Sequence, residues 1–301
     1  MSSTLDRAAL FDAEFLEAVQ QLRLVAKRVP HGGLIAEQRS KDQGAGIEFA
    51  DHRPYSPGDD IRAIDWNLYR RLGKVFLRLF EETRDLPLYL CPDISSSAFA
   101  GDPPRAVAGL RAAFALGAIA CDQHDAVGLF PFAERLRPAL KPGSGGGRLE
   151  RLAEHLLELG PRGTTDFRRS FAELDAFRLR RGLVVVISDG FDPGGAEAVL
   201  EGLRTLRHSL VFVQLTRRSD AEPELSGDVR LVDCESGEQR DLSIGGSVLA
   251  RYREAQVAFQ QTLSTGLEGR GAGHVQLDVE ADIVAQLSQL FSGGRLEVPA
   301  R

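Results

Sequence analysis

Asp93-Ile94-Ser95-Ser96-Ser97 sets a carboxylate, Asp93, and two hydroxyls, Ser95 and Ser97, at alternate positions directly after the apolar run Leu86-Pro87-Leu88-Tyr89-Leu90-Cys91-Pro92. A near-extended loop aims alternate residues to one side, and hard divalent cations take oxygen ligands of this kind. A second apolar run, Leu183-Val184-Val185-Val186-Ile187, ends in a similar way, in Ser188-Asp189-Gly190. Between the two lies Gly163-Thr164-Thr165-Asp166, which opens a predicted helix and offers further hydroxyls. Asp and Ser are also ordinary turn and cap residues. Residue types by themselves therefore leave both capping and ion binding open, and do not choose between Thr164 and Thr165.

The elements that would position these groups follow from the apolar pattern. A continuous β-branched run without alternation reads as a strand covered on both faces. Strands are expected at 86–92, 183–187, 209–215 and 274–279, with a weaker one at 229–233. A hairpin is expected from 126–130 and 136–140, with a loop at 142–147. Helices are expected at 104–123, 148–159, 167–179, near 195–206, at 247–267 and near 281–292. Such alternation predicts an α/β fold, a doubly wound, mostly parallel sheet with helices on both faces. In open sheets of this type ligands sit beyond the carboxyl ends of the strands, where Asp93 and Asp189 fall. Upstream, Leu10, Phe11, Phe15, Val19, Leu22 and Val25 recur at helical spacing and predict a helix over 8–29. A polar connection (31–46), a short strand within 46–55, a turn at 57–60 and a strand at 75–80 follow. The expected division is an N-terminal helical and extended segment, 1–83, packed on a main domain, 84–301.

Composition narrows the function. The chain has 301 residues, 43% apolar and 27% charged, which is the balance of an ordinary globular protein. A net charge of −6 argues against nucleic-acid binding, which draws its affinity from Lys and Arg at phosphates. Cys91, Cys121 and Cys234 are scattered and form no disulfide or metal-binding spacing, which fits a reducing, cytoplasmic setting. Met1 to Phe15 does not read as a signal peptide. No apolar run approaches the ~20 residues of a membrane span, so direct membrane insertion is not expected. The glycine run 142–147 lacks the Gly-Lys-Ser/Thr of a phosphate loop, and no Gly-x-Ser-x-Gly elbow occurs. The histidines show no metal-ligand spacing, and His124 and His208 are expected to be structural. Arg162, Arg168, Arg169, Arg178, Arg180 and Arg181 make a basic cluster whose default reading is a solvated helix face. No residue is placed as a nucleophile or general base.

The order Asp93-x-Ser95-x-Ser97, then a Thr in a Gly-Thr loop, then strand-terminal Asp189 resembles a metal-ion-dependent adhesion site, the cation site of von Willebrand factor type A domains. Matching Gly163-Thr164-Thr165-Asp166 to the usual Gly-Gly-Thr-Asp of those domains selects Thr165. The resemblance implies Asp93, Ser95, Ser97, Thr165 and Asp189 around Mg²⁺ (or Mn²⁺ or Ca²⁺), the hydroxyls coordinating directly and the aspartates partly through water. It also implies an open position that accepts a Glu or Asp from a partner. One departure is Pro92, which removes a backbone donor just before Asp93.

Gly46 to Trp66, with Glu48-Phe49, Arg53-Pro54-Tyr55-Ser56-Pro57-Gly58-Asp59-Asp60-Ile61-Arg62 and Ile64-Asp65-Trp66, is followed by Phe80-Glu81-Glu82. It resembles the signature of the bacterial domain of unknown function 58 family, which precedes a von Willebrand A-like domain. Family members often accompany an AAA+ ATPase of the MoxR class, and this chain resembles the short soluble form. The implied function is a metal-dependent protein-interaction module, an adaptor or cofactor of a MoxR-type ATPase in a chaperone-like system, and not an enzyme. The alternative is a metal-dependent hydrolase or phosphatase using the same cation as a Lewis acid. Within the block, Arg53 and Arg62 are expected to pair with Asp59, Asp60 and Asp65.

Overall fold

The amphipathic start of the chain forms α1 (Arg7–Leu10) and α2 (Ala13–Arg28), with Leu10, Phe15, Val19 and Leu22 buried. The computed structural model describes residues 7–28, 48–56, 59, 64–81, 87–223, 225–235 and 237–292. Residues 37–85 form one compact unit, and residues 1–36 with 86–301 form the other. In the smaller unit, β1 (Glu48–Pro54) pairs antiparallel with β2 (Phe76–Glu81), and α3 (Trp66–Leu72) lies between them in sequence. The Asp65 carboxylate caps α3 by accepting from the backbone N–H groups of Asn67 (2.9 Å) and Leu68 (3.0 Å). Gly73, at φ 65°, closes the helix in the left-handed conformation that glycine adopts without strain. The expected pair of Arg53 and Asp59 forms, at 2.8 Å. Pro57, Gly58, Asp60 and Arg62 lie outside the described residues, and with them most of the expected turn and the Arg62 part of that network.

The larger unit continues with β3 (Leu88–Pro92), α4 (Arg105–Asp122), β4 (Val127–Leu129), β5 (Leu140–Gly143), α5 (Arg148–Leu157), α6 (Phe167–Ala176) and β6 (Leu183–Ser188). Then follow α7 (Gly195–Arg204), β7 (Ser209–Thr216), α8 (Arg218–Ala221), β8 (Gly227–Val232), β9 (Gln239–Ile244), α9 (Gly246–Arg270), β10 (Gly273–Asp278) and α10 (Ile283–Ser292). Six strands form one sheet in the order β10-β7-β6-β3-β4-β5, parallel throughout except for β5, which runs antiparallel to β4. This is the doubly wound α/β architecture that the alternation predicts and that the von Willebrand A resemblance implies.

Successive residues of each central strand feed opposite faces, as the two-residue period requires. Leu88, Leu90, Leu183, Val185, Ile187, Val211 and Val213 join one apolar cluster with residues of α2, α4, α5 and α10. Tyr89, Cys91, Val184, Val186, Leu210 and Phe212 join the other, with Phe167, Phe171, Val199, Leu203, Leu263 and Leu267 from α6, α7 and α9. A sheet covered on both sides explains why its strands read as unbroken apolar runs.

Several details differ from the sequence reading. The second hairpin strand is residues 140–143, not 136–140, and Leu136 makes only an isolated bridge to Phe132. The buried Arg148 guanidinium donates to the carbonyls of Val127 and Lys141, joining β4 to β5 one residue beyond the apolar run. Pro92 causes no break: it ends β3, and the ladder resumes at once with the Asp93 N–H donating to the Ile187 carbonyl at 2.9 Å.

From β3 the chain crosses to β4 and β5 on one flank, then returns to β6 on the other. The gap between the ends of β3 and β6 is therefore the topological switch point, where an open sheet leaves a crevice at its carboxyl edge. Phe212→Ala, in the buried second face, should cost about 3–5 kcal/mol of unfolding free energy in urea. Leu242→Ala, on the exposed β9, should cost no more than about 0.5 kcal/mol.

Candidate metal centre

Asp93 leaves β3 with both carboxylate oxygens committed. Oδ1 accepts from the Ser95 N–H at 2.9 Å, and Oδ2 accepts from the Ser188 hydroxyl at 2.7 Å. Ser188 is the last residue of β6, so this bond joins the two strand ends directly; its own Oγ accepts from the Gly190 N–H at 3.0 Å. The Ser95 and Ser97 hydroxyl oxygens lie 3.0 Å apart. Asp189 follows β6, its Oδ1 accepting from the Phe191 N–H at 3.0 Å and its backbone carbonyl accepting from the Gln214 side chain at 3.2 Å. Gly190 turns the chain here at φ 81°, which an L side chain would resist.

The loop before α6 is stitched to the Asp93 loop by its backbone. The Arg162 N–H donates to the Ile94 carbonyl at 2.8 Å, and the Ser96 N–H donates to the Gly163 carbonyl at 2.9 Å. Asp166 caps α6 by accepting from the Arg169 N–H at 2.9 Å. Of the two threonines, Thr165 is the buried one, only 2% exposed, and its hydroxyl has no hydrogen-bond partner. A buried hydroxyl without a partner costs about 1–3 kcal/mol, so such an atom calls for an explanation.

Burial dominates the electrostatics. It raises the pKa of Asp93, opposed by hydrogen bonds from Ser188 and Ser95. It also pushes Asp189 up to about 7, helped by repulsion from Asp93 and opposed by the Phe191 N–H and by Arg105. Arg105, the first residue of α4, brings its Nε to 3.6 Å from Asp189 and pairs with Asp220. The Ser97 hydroxyl donates at 2.6 Å to the Oε1 of Glu235, from the turn between β8 and β9. A cavity of about 460 Å³ opens beside Asp189, lined in part by Phe191, Gln214, Thr216, Gln260 and Gln276.

Among the described residues, no group of three or more His, Cys, Asp or Glu side chains converges to hold a metal. The donors here are instead two carboxylates and three hydroxyls, all hard oxygens, a set suited to Mg²⁺ when water or an outside ligand completes it. The unpartnered Thr165 hydroxyl fits that use. Sequence reasoning missed Ser188, Arg105, Gln214 and Glu235. Ser188 had a signal, a hydroxyl at the end of a buried strand beside an expected ligand; the others act from distant segments.

A carboxyl whose pKa is higher in the folded than in the unfolded chain binds extra protons when folded. Its contribution to stability is fullest below the unfolded value of 3.8 and is lost as pH rises through the folded value of about 7. In chelator, Asp189→Asn should therefore gain stability over the parent as pH goes from about 5 to about 8 in urea unfolding. A difference that stays constant with pH would refute the strained carboxyl pair.

Relatives share the chain almost end to end. Uncharacterized protein Rv1480 of Mycobacterium tuberculosis and uncharacterized protein Mb1516 of Mycobacterium bovis are each 25% identical over 295 residues, covering 96% of this chain and 92% of the relative. Among solved structures, the conserved hypothetical protein BatB from Bacteroides thetaiotaomicron matches 69% of this chain and 98% of its own, with a TM-score of 0.43 and 18% identity. An aerotolerance-related membrane protein from Bacteroides fragilis matches 60% of this chain and 99% of its own, with a TM-score of 0.37 and 19% identity. No described helix of the present chain is long and apolar enough to cross a membrane. The family model described as "Protein of unknown function DUF58" matches residues 51–262, and the chain belongs to that family.

Proposed function

We propose that this chain is a cation-dependent protein-interaction module whose site, Asp93, Ser95, Ser97, Thr165 and Asp189, holds Mg²⁺ and presents it to an acidic side chain of a partner. A bound Mg²⁺ would supply a fixed positive charge with a coordination position left to an outside oxygen. The observation that carries this reading is the Thr165 hydroxyl, buried without a partner in a loop bonded to the Asp93–Ser97 loop. The strand-end position at the switch point supports it as well. By family association the partner is a MoxR-type AAA+ ATPase or its client, with this chain as adaptor in a chaperone-like, cytoplasmic system.

Ser188 and the Ser95 N–H orient the Asp93 carboxylate, and Arg105 steadies Asp189. Burial raises the pKa of both aspartates, which favours protons over an entering cation, so cation and protons compete. A second reading, metal-dependent hydrolysis of a phosphoester, draws on one observation: Asp189, with a pKa of about 7 beside Arg105, titrates where a general acid or base works.

Calorimetric titration of Mg²⁺ should give one site in the wild type, weaker at about pH 6 than at about pH 8, and none in Asp93→Ala or Thr165→Ala. A folded wild type that binds no divalent cation would sink the reading. Co-purification of the ATPase should be lost in chelator and in Asp93→Ala. Turnover of a generic phosphoester, abolished by Asp189→Ala, would favour the hydrolase instead.

A further inference from the structure

The hydroxyl of Ser97 is held by a carboxylate of the same chain, brought from 138 residues away. The turn that delivers Glu235 is well defined. The Asp233 N–H donates to the Glu238 carbonyl at 2.9 Å, the Gly237 N–H donates to the Asp233 carbonyl at 2.8 Å, and the Asp233 carboxylate accepts from the Glu235 N–H at 2.8 Å. The ribbon behind it is a regular antiparallel pair but is little buried. In β8 and β9 only Val229 and Ile244 are even half-buried, while Leu231, Val232 and Leu242 are 41%, 57% and 42% exposed. A two-stranded ribbon of this kind is marginally stable by itself. Where its tip rests therefore depends on the contact the tip makes.

That contact is electrostatically odd. Glu235 lies close enough to repel the buried Asp93, which in turn repels Asp189. Arg105, the cation seen against Asp189, is also engaged by Asp220. An acidic group brought near the buried Asp93 is unfavourable unless a positive charge is shared between them. Glu235 thus already engages the hydroxyl of Ser97, one of the expected cation ligands.

We infer that Glu235 is a built-in carboxylate ligand of the cation site, a stand-in for the partner's acidic side chain that the β8–β9 ribbon holds in place until a partner displaces it. The inference rests on the cation reading proposed above and adds a consequence. Displacement would release the ribbon and with it the exposed apolar side chains Leu231, Val232 and Leu242, so partner binding and ribbon release are one event.

The test is Mn²⁺ titration, followed by its electron spin resonance, into wild type, Glu235→Ala and Glu235→Gln, with and without excess acetate as a free carboxylate. Glu235→Ala should weaken Mn²⁺ by about tenfold through loss of an anionic ligand, and acetate should restore part of it while leaving the wild type unchanged. Glu235→Gln keeps an acceptor for Ser97 but no charge, and should behave like the alanine variant. Equal Mn²⁺ affinity in all three, with the same response to acetate, would overturn the role of Glu235 while leaving the cation site standing. A wild type that binds no Mn²⁺, and so cannot be told from Asp93→Ala, would instead remove the cation reading itself. Both substitutions fall on a turn outside the apolar clusters, and near-ultraviolet circular dichroism checks that each variant keeps the parent fold.

Discussion

Two carboxyl groups taken out of water at the ends of adjacent strands set the terms for everything around them. Asp93 is 6% exposed and Asp189 is 8% exposed, and both follow strands whose other residues are wholly apolar apart from Ser188. Charge in such a place is costly unless it is neutralised or hydrogen-bonded. The surroundings provide hydrogen bonds in number: two backbone N–H groups, one serine hydroxyl and an arginine at longer range. They do not provide a full complement of positive charge. The fold concentrates oxygen atoms here and leaves them short of compensating charge.

The sheet makes that concentration possible. Its register sets Pro92 beside Ile187, so the residues that follow emerge at the same height, and one side-chain bond from Ser188 to Asp93 locks the two exits together. Apolar clusters on both faces keep the strands from shifting in response to the polar edge. A one-residue slip would exchange the two faces throughout, which is the energetic reason the register is so strongly specified. The rigidity of the site is thus inherited from the core rather than made locally.

The parts of this that were legible in the sequence were those governed by neighbours in the chain. Leu183 to Ile187 announced a strand buried on both sides, and Asp93, Ser95 and Ser97 announced a group of oxygen donors, because spacing along one backbone fixes both. The boundary of β5 was misread because it depends on Arg148, whose side chain reaches back to Val127. β9 was missed because Gln239-Arg240-Asp241-Leu242-Ser243-Ile244 is exposed on both sides and so carries no burial pattern to detect. Glu235 was invisible for a different reason. A lone glutamate in a polar turn has no local signature, and its meaning appears only when the turn folds onto a serine far upstream.

The N-terminal helices carry a consequence for how the molecule is made. Leu10, Phe15, Val19 and Leu22 share a core with Leu110 and Phe114 of α4 and with Ile283, Val284 and Leu287 of α10, nearly the whole length of the chain away. On the ribosome, synthesis runs from the N-terminus, so α2 emerges long before its partner α10. For that interval its apolar stripe is half covered at best, an adhesive surface on a nascent chain. The stripe is fully covered only once α10 is in place, and a chain that stalls or is cut before it would leave this stripe as a point of aggregation or of chaperone capture.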